Sequence, residues 1–419
     1  MANDRFEKYD VIISGAGPAG LAAAIESSRR GLSCLLADKN KKPGRKLYAA
    51  GNGHANICNA FYDKSCYYGS DFMEQILSDV DLTEFVTDYF DELGVNTVSK
   101  NGYYYPMSMQ ASSIVWALKD AAEMSGAVIK CGAEIIKVEE TDDEYLVHFK
   151  DGSCIRSDAF ILATGSPSSP ELGAADEKSA YELYDSLKLE YEPYKASLGP
   201  VRCDETFELI SGVRCDAEIK VDGSGVSERG ELQITESTLS GIVVFNLSDH
   251  IRKMYENTGT AELTINVIPD VDETLFRQKL SRMIVDFPER RFTAFLNGFI
   301  NDKLAVYFIM KMMDQGIIFD EKTMMKDVNI FNANEIYRML SEWKVKISGL
   351  YGFNRSQASS GGIKTAQIDP DDMHIIGRRE LYAVGEATEV LGKCGGYNIS
   401  YALYSGYTAG RSCLNGGVK

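Results

Sequence analysis

The feature that most narrows what this chain can fold into is Gly15-Ala16-Gly17-Pro18-Ala19-Gly20, a G-x-G-x-x-G that directly follows the apolar run Val11-Ile12-Ile13. Such a run suits a strand buried on both faces. The alanine-rich segment after it predicts a helix from Pro18 to about Arg30, with the proline near the first turn, where a missing N–H costs nothing. Gly31 ends that helix, Ser33 to Ala37 makes a second strand, and Asp38 closes it 18 residues after Gly20. Gly15 permits the tight turn, Gly17 lets a pyrophosphate approach the backbone, and Gly20 lets helix and strand pack closely. Free N–H groups and the positive end of the helix dipole then hold the phosphates, while the acid takes ribose hydroxyls. Glycine turns can also serve packing alone. The strand before, the helix after and the acid at its distance together predict a dinucleotide site.

Beyond Asp38 runs Lys39-Asn40-Lys41-Lys42-Pro43-Gly44-Arg45-Lys46-Leu47, followed by Gly51-Asn52-Gly53-His54-Ala55-Asn56. A basic loop followed by glycines can track a long cofactor, although a lysine cluster by itself more often marks a solvated loop. Two further segments read as strands returning to the same sheet. Asp158 to Leu162 ends in Ala163-Thr164-Gly165, and Leu381 to Val384 ends in Gly385-Glu386. The second leads to Gly395-Gly396-Tyr397-Asn398 and a helix of small residues to about Gly410. A helix opened by a glycine pair can direct bare N–H groups at the pyrimidine side of a flavin and favour negative charge there. Gly395-Gly396 read alone is as readily a loop turn.

These motifs, in this order, resemble the aminoacetone-oxidase-like and BaiN-like FAD flavoproteins, a family within the two-dinucleotide-fold flavoproteins. The resemblance covers most of the chain. It rests on the motifs above and on Tyr105-Pro106-Met107-Ser108 with Ala111, Gly230-Glu231-Leu232, Ser240-Gly241 and Gly361-Gly362. It implies non-covalent FAD, an α/β Rossmann-like FAD-binding domain assembled from both chain ends, and an inserted domain, β-rich then helical. Motifs and resemblance together give as cofactor-binding Gly15, Ala16, Gly17, Ala19, Gly20, Asp38, Lys39, Arg45, Lys46, Gly51, Gly53, His54, Ile135, Ala163, Thr164, Gly165, Gly385, Glu386, Gly395, Gly396, Asn398 and Ile399. The chain departs from the family pattern in places. His54 and Ala55 replace an arginine and a cysteine, Gly102-Tyr103-Tyr104-Tyr105-Pro106 lacks another arginine, and Glu236 stands where many members have histidine.

The middle of the chain reads differently. Short alternating stretches between Glu218 and Leu247, with turns such as Asp222-Gly223-Ser224-Gly225, predict antiparallel strands, and Ala261 to Ile268 adds another. From Glu273 to about Trp343 the period turns helical, and Phe308 to Met313 reads as a core stripe. The expected division is 1–192 with 346–419 for the FAD domain, 193–270 for a β-rich substrate subdomain and 271–345 for a helical one. No second G-x-G-x-x-G is present, so NAD(P)H would act as a transient donor without a dedicated domain.

The candidate catalytic residues are His54, Tyr103 and Tyr105. The imidazole suits proton transfer near neutrality, and the phenols could donate a proton or stack on a flat substrate, although packing is the commoner use of tyrosine. Ser108 reads as the cap of a helix starting near Met109. No metal-ligand spacing occurs. Among 419 residues, 61 acidic and 44 basic side chains leave a formal charge of −17, which disfavours nucleic acid and membrane surfaces as partners. Nine scattered cysteines without a Cys-x-x-Cys suit a reducing cytoplasm. The expected activity is hydride transfer between flavin N5 and a small or medium organic substrate, as an NAD(P)H-dependent reductase of a conjugated double bond in a steroid- or bile-acid-like molecule. The alternatives are an amine oxidase of the aminoacetone type and a non-catalytic electron-transfer or redox-sensing protein.

Overall fold

The apolar run at the start becomes the strand Lys8–Ser14, with Val11, Ile12 and Ile13 fully buried at the centre of a seven-stranded sheet. The computed structural model describes residues 7–68, 71–174, 176–318 and 320–415. It divides into two compact units, Met1–Ala196 with Ser356–Lys419, and Ser197–Arg355.

In the first unit, Lys8–Ser14 lies parallel to Cys34–Asp38 on one side and Cys154–Leu162 on the other. Val128–Cys131 extends the sheet beyond Cys34–Asp38, and Leu381–Ala383 pairs in parallel with Cys154–Leu162. The register sets Ser14 opposite both Ala37 and Leu162, and Leu162 opposite Ala383. The carboxyl ends of four strands therefore share one edge, which is where an open parallel sheet binds its ligands. An antiparallel pair, Ile135–Glu140 and Tyr145–Phe149, completes the other side.

Two helices pack against each other over this sheet. The helix Pro18–Arg29 runs beside the C-terminal helix Tyr397–Ser412 at a distance only glycine permits. A β-carbon added at Gly406 would fall 2.0 Å from the Ala19 carbonyl oxygen, and one at Gly410 would fall 2.5 Å from that of Ala23. Equal four-residue steps in the same direction mean the helices are parallel. Cys58–Asn59, Thr97–Lys100 and Tyr103–Pro106 form a separate small sheet. The helix after it, Ala111–Met124, starts later than the sequence suggests. Met109 is left-handed, and the Ser108 hydroxyl accepts from the Gln110 N–H without capping the helix.

The second unit is a closed six-stranded barrel whose neighbouring strands all pair antiparallel, in the order Val201–Cys203, Thr238–Ser240, Val226–Thr235, Arg214–Val221, Ala261–Asn266, Trp343–Leu350. Asp222 to Gly225 form the hairpin turn, with Val221 opposite Val226. Ala217, Ile219, Val221, Leu232, Ile234, Leu263 and Ile265 alternate inward at 0% exposure, so the barrel is filled by side chains. On the helix Asp302–Asp314, Phe308, Ile309 and Met312 join one core with the barrel residues, as the stripe predicts.

The expected boundaries at 192/193 and 345/346 need correction, as does the split at 270/271. Trp343–Leu350 pairs with Val201–Cys203 and Ala261–Asn266 and so closes the barrel, which moves the crossing to Ser356. Barrel and helices share a single hydrophobic core and form one unit. The chain leaves the first unit along Tyr191–Ser197 and returns along Ala358–Ile363, and these two strands pair with each other.

Candidate active site

At the shared strand edge the three motif glycines divide their work. A β-carbon at Gly15 (φ +110°) would fall 2.3 Å from the Ala163 carbonyl oxygen, and one at Gly20 would fall 1.8 Å from that of Gly15. Gly17, by contrast, has nothing within 4 Å of that position. The first and third glycines bring loop, helix and strand together, and the second leaves an opening at the start of Pro18–Arg29. Ala19 lies in the buried first turn of that helix.

Asp38 organises the loop from below. Its Oδ2 accepts the Ala16 N–H at 2.8 Å and its Oδ1 accepts the Asn40 N–H at 2.7 Å. Each carboxylate oxygen retains a lone pair for a ribose hydroxyl. Ala133 and Gly132 donate to the Asp38 and Asn40 carbonyls, which brings the strand that opens at Ile135 alongside. Lys39 donates through Nζ to the Ala174 carbonyl at 2.6 Å, and burial pulls its pKa below the usual lysine range. Arg45 reaches Asn40 and the Glu171 carbonyl. Both cations thus line the acid's side of the edge, already in contact with the protein. Thr164 meets the Tyr184 hydroxyl at 3.2 Å, and the Gly165 carbonyl accepts from Tyr194 at 3.3 Å.

Further along, Lys46 pairs with Glu386 at 2.6 Å, and Ser166 donates to the same carboxylate at 3.0 Å. One contact therefore ties together the basic loop, the segment after Ala163-Thr164-Gly165 and the Gly385-Glu386 turn. Gly385 (φ +60°) donates its N–H to Ser405 at 3.0 Å, and a β-carbon there would stand 3.0 Å from that of Ala19.

The C-terminal helix opens at Gly396 (φ +90°) with no side-chain cap, so the N–H groups of its first turn, including those of Asn398 and Ile399, have no intrahelical acceptor. Beside this opening the segment 51–55 is wound through left-handed residues, Gly51, Asn52, Gly53 and Ala55. That winding delivers Asn56 beneath Gly396, whose added β-carbon would meet Asn56 Oδ1 at 2.4 Å. Both carboxamide atoms of Asn56 are buried without a hydrogen-bond partner. His54 is exposed, and its Nδ1 contacts the Met109 carbonyl at 2.8 Å. A carbonyl can only accept, so Nδ1 carries the proton in the neutral ring and Nε2 is left as the acceptor.

The Tyr103 ring would lie 3.2 Å from a β-carbon at Gly395, and burial raises its pKa above the ordinary phenol value. Tyr105 stands two residues along the same strand, half-buried and on the same face. Asn398 uses its side chain on the protein, exchanging two hydrogen bonds with the Gly392 backbone at 2.8 and 2.9 Å. Its place in the site is therefore that of its backbone.

The residues present fit an extended FAD. Gly406 lies against Ala19, yet the C-terminal helix begins at Tyr397 and the first helix at Pro18. The two parallel helix starts are thus staggered by eight residues, about 12 Å at 1.5 Å per residue. A ribityl chain and a flavin ring span that order of distance, so one opening suits the pyrophosphate and the other the pyrimidine edge. The unpartnered carboxamide of Asn56 supplies the donor and acceptor that a flavin edge requires. The sequence alone gives Asn56 no role. It likewise gives none to Ser166 or to an aromatic cluster of Tyr62 and Tyr67, whose rings meet Tyr397 edge-on at 5.1 and 5.9 Å. The apolar-lined aspartate, glycine and alanine motifs are local signals, whereas this cluster is assembled from distant segments.

The family described as HI0933-like protein Rossmann domain matches residues 9–412. The 3-dehydro-bile acid delta(4,6)-reductase of Clostridium scindens is 28% identical over 96% of this chain and 98% of its own length. The ribosomal RNA dihydrouridine synthase of Escherichia coli (strain K12) is 26% identical over 97% and 98%. The solved 3-ketosteroid delta1-dehydrogenase of Sterolibacterium denitrificans covers 96% of this chain and 99% of its own at 12% identity with a TM-score of 0.53, which shows a shared fold. The chain accordingly belongs to the HI0933-like family, and it is an FAD-dependent oxidoreductase built on that family's Rossmann domain.

Proposed function

We propose that the protein is an NAD(P)H-dependent reductase that saturates a carbon–carbon double bond conjugated to a carbonyl in a small steroid- or bile-acid-like molecule. The observation that carries this reading is the uncapped start of the C-terminal helix with the unpartnered Asn56 carboxamide beside it, an arrangement that favours negative charge on a bound ring. The two relatives named above support the reaction class, because one is named as a reductase of a bile acid and the other as a synthase of dihydrouridine. Bound FAD would supply the hydride transferred from N5 to the substrate carbon.

The chain's own residues would do the rest. Gly15, Gly17, Gly20 and the backbone of Ala16 and Ala19 would cradle the pyrophosphate. Asp38 would take the ribose hydroxyls, and Lys39, Arg45 and Ile135 would border the adenosine. Ala163, Thr164, Gly165, Lys46, Gly385 and Glu386 would follow the ribityl chain. Gly51, Gly53, Asn56, Gly395, Gly396 and the N–H groups of Asn398 and Ile399 would hold the ring. Tyr103, kept protonated by burial, is the proton donor of first choice, with Tyr105 near it on the same strand face. His54, with Nδ1 engaged and Nε2 open, would relay a proton from water.

Anaerobic reduction by NADH or NADPH, followed by a 3-oxo-Δ4 steroid, tests the reading. The flavin band should bleach with one nicotinamide and return with the enone. Bleaching by an amine with no return on adding enone would replace the reductase with an oxidase. Return only with a uridine-containing RNA would shift the substrate class towards that of the Escherichia coli relative, despite the charge of −17. Tyr103→Phe should retain FAD and lower kcat roughly a hundredfold. An unchanged kcat would move the proton to another donor.

A further inference from the structure

The Gly395-Gly396 pair that opens the C-terminal helix is gripped by one side chain. Asn59 Nδ2 donates to the Gly395 carbonyl at 3.2 Å, across 336 positions of sequence. Among the described residues that carbonyl has no other hydrogen-bond partner. The far end of the same carboxamide accepts the Phe61 N–H at 3.3 Å. A backbone N–H can only donate, so Oδ1 must face Phe61 and the amide nitrogen must face Gly395. The main chain of Asn59 is held as firmly. Its N–H donates to the Tyr62 hydroxyl at 3.2 Å, and its carbonyl accepts from Thr83 Oγ1 at 2.8 Å. In the small sheet Asn59 lies directly opposite Tyr103. Gly395 sits against both residues, since a β-carbon there would stand 3.1 Å from Asn59 Nδ2 and 3.2 Å from the Tyr103 ring.

A trans peptide sets its C=O and its N–H on opposite sides, and no peptide bond among the described residues is cis. Turning the Gly395 carbonyl to Asn59 therefore turns the Gly396 N–H away from it. That N–H has no acceptor among the described residues. The peptide between the two glycines is otherwise a hinge. Gly395 and Gly396 have φ of +131° and +90°, and glycine adopts the opposite sign as readily. Beyond the hinge the chain cannot follow a rotation, because the Gly396 carbonyl accepts the Ser400 N–H at 2.9 Å. Ser400 Oγ in turn meets the Tyr62 hydroxyl that holds Asn59. Nothing local thus chooses between the two orientations of this one peptide, and the Asn59 donor does. The choice has a chemical consequence. An N–H facing a ring that gains negative charge on reduction stabilises the reduced ring, and a carbonyl in that place repels it.

We propose that Asn59 is a positioning residue, which holds the Gly395–Gly396 peptide with its N–H turned to the flavin ring and so raises the reduction potential of bound FAD. This rests on the assignment of the C-terminal helix opening to the ring, and it is independent of which substrate the reduced ring serves. Asn59 would touch neither ring nor substrate. It would act through the glycine peptide, on the same strand pair that carries Tyr103.

The test uses FAD-loaded protein and reads the midpoint potential by equilibration with a reference dye, alongside the Kd for oxidised FAD. Asn59→Leu removes the donor at similar volume. It should weaken reduced FAD relative to oxidised FAD about tenfold, which lowers the potential by about 30 mV for a two-electron couple, with the Kd for oxidised FAD within about threefold of wild type. Asn59→Asp keeps the shape and offers only acceptors, so it should favour the flipped peptide and lower the potential further. Equal loss of affinity for both oxidation states would make Asn59 a structural brace and overturn the proposal. A shift confined to N59D would do the same, since it would reflect only the field of one added charge. The wild-type protein gives a reading that needs no variant. FAD should slow exchange of the Gly396 amide roughly tenfold, followed by NMR, and unslowed exchange removes the N–H from the ring. Return of the flavin band with the enone is scored on the same samples. Wild type that fails to regain it ends the reductase reading and leaves the potentials to decide Asn59. Wild type that regains it, with an unchanged potential in N59L, ends the Asn59 proposal alone.

Discussion

Asn56 holds both ends of its carboxamide out of water with no hydrogen-bond partner, a state that costs about 1–3 kcal/mol for a buried polar group. A ligand that satisfies those atoms recovers the cost, so binding and the orphaned group are coupled. Asn56→Leu removes the polar atoms at similar volume. It should raise the Kd for FAD roughly tenfold, measured by flavin fluorescence on apoprotein, while leaving the apoprotein as stable as before or more so. The glycines of the first motif were legible at this scale because each obeys a steric rule that acts over a few residues. Asn56 was not, because its isolation arises only when Gly396 is laid over it from 340 positions away in the chain. The pairing of Lys46 with Glu386 was hidden for the same reason: each residue was singled out, and nothing local joins them.

Between elements, the contact that decides the site is the one between the first and last helices. Gly406→Ala places a methyl group 2.0 Å from the Ala19 carbonyl oxygen, which is backbone and cannot turn aside. The helices must separate, and overpacking of this kind costs about 1–3 kcal/mol. The variant should melt at lower temperature and lose FAD more readily, both read in one thermal scan followed by flavin fluorescence release. Strands and helices of the Rossmann half were readable because apolar runs end in glycine or acid at each turn. The barrel was readable only as antiparallel strands, since closure depends on Trp343–Leu350 finding Val201–Cys203 far earlier in the chain. That late strand is also why the expected domain boundary fell short.

At the scale of the whole molecule, burial pushes the thiols of Cys34, Cys58 and Cys203 up to about 12. An unfolded thiol ionises near pH 8.5. Between those values the unfolded chain has lost protons that the folded chain keeps, so stability is full below about pH 8.5 and falls as pH rises towards 12. Urea midpoints should therefore decline steadily above pH 9 with no matching loss between pH 6 and 8. A flat profile to pH 11 would show that these thiols do not stay protonated in the fold. Because Tyr191–Ser197 and Ala358–Ile363 pair with each other, the exit and return of the second unit lie side by side. Replacing 198–355 with a short Gly-Ser linker should leave a yellow protein that binds FAD. A colourless product would mean that the Rossmann half cannot fold alone.

The parallel packing of the first and last helices also bears on biosynthesis. Ser27 and Gly410 touch across 383 positions, and Ala19 meets Gly406 across a similar interval. During translation the nucleotide-binding turn emerges well before Tyr397–Ser412, and the ledge that would seat the flavin ring does not exist until that helix has cleared the ribosome. Loading of the coenzyme then waits on that helix, and nascent chains arrested before Tyr397 should remain colourless however much FAD the cell supplies.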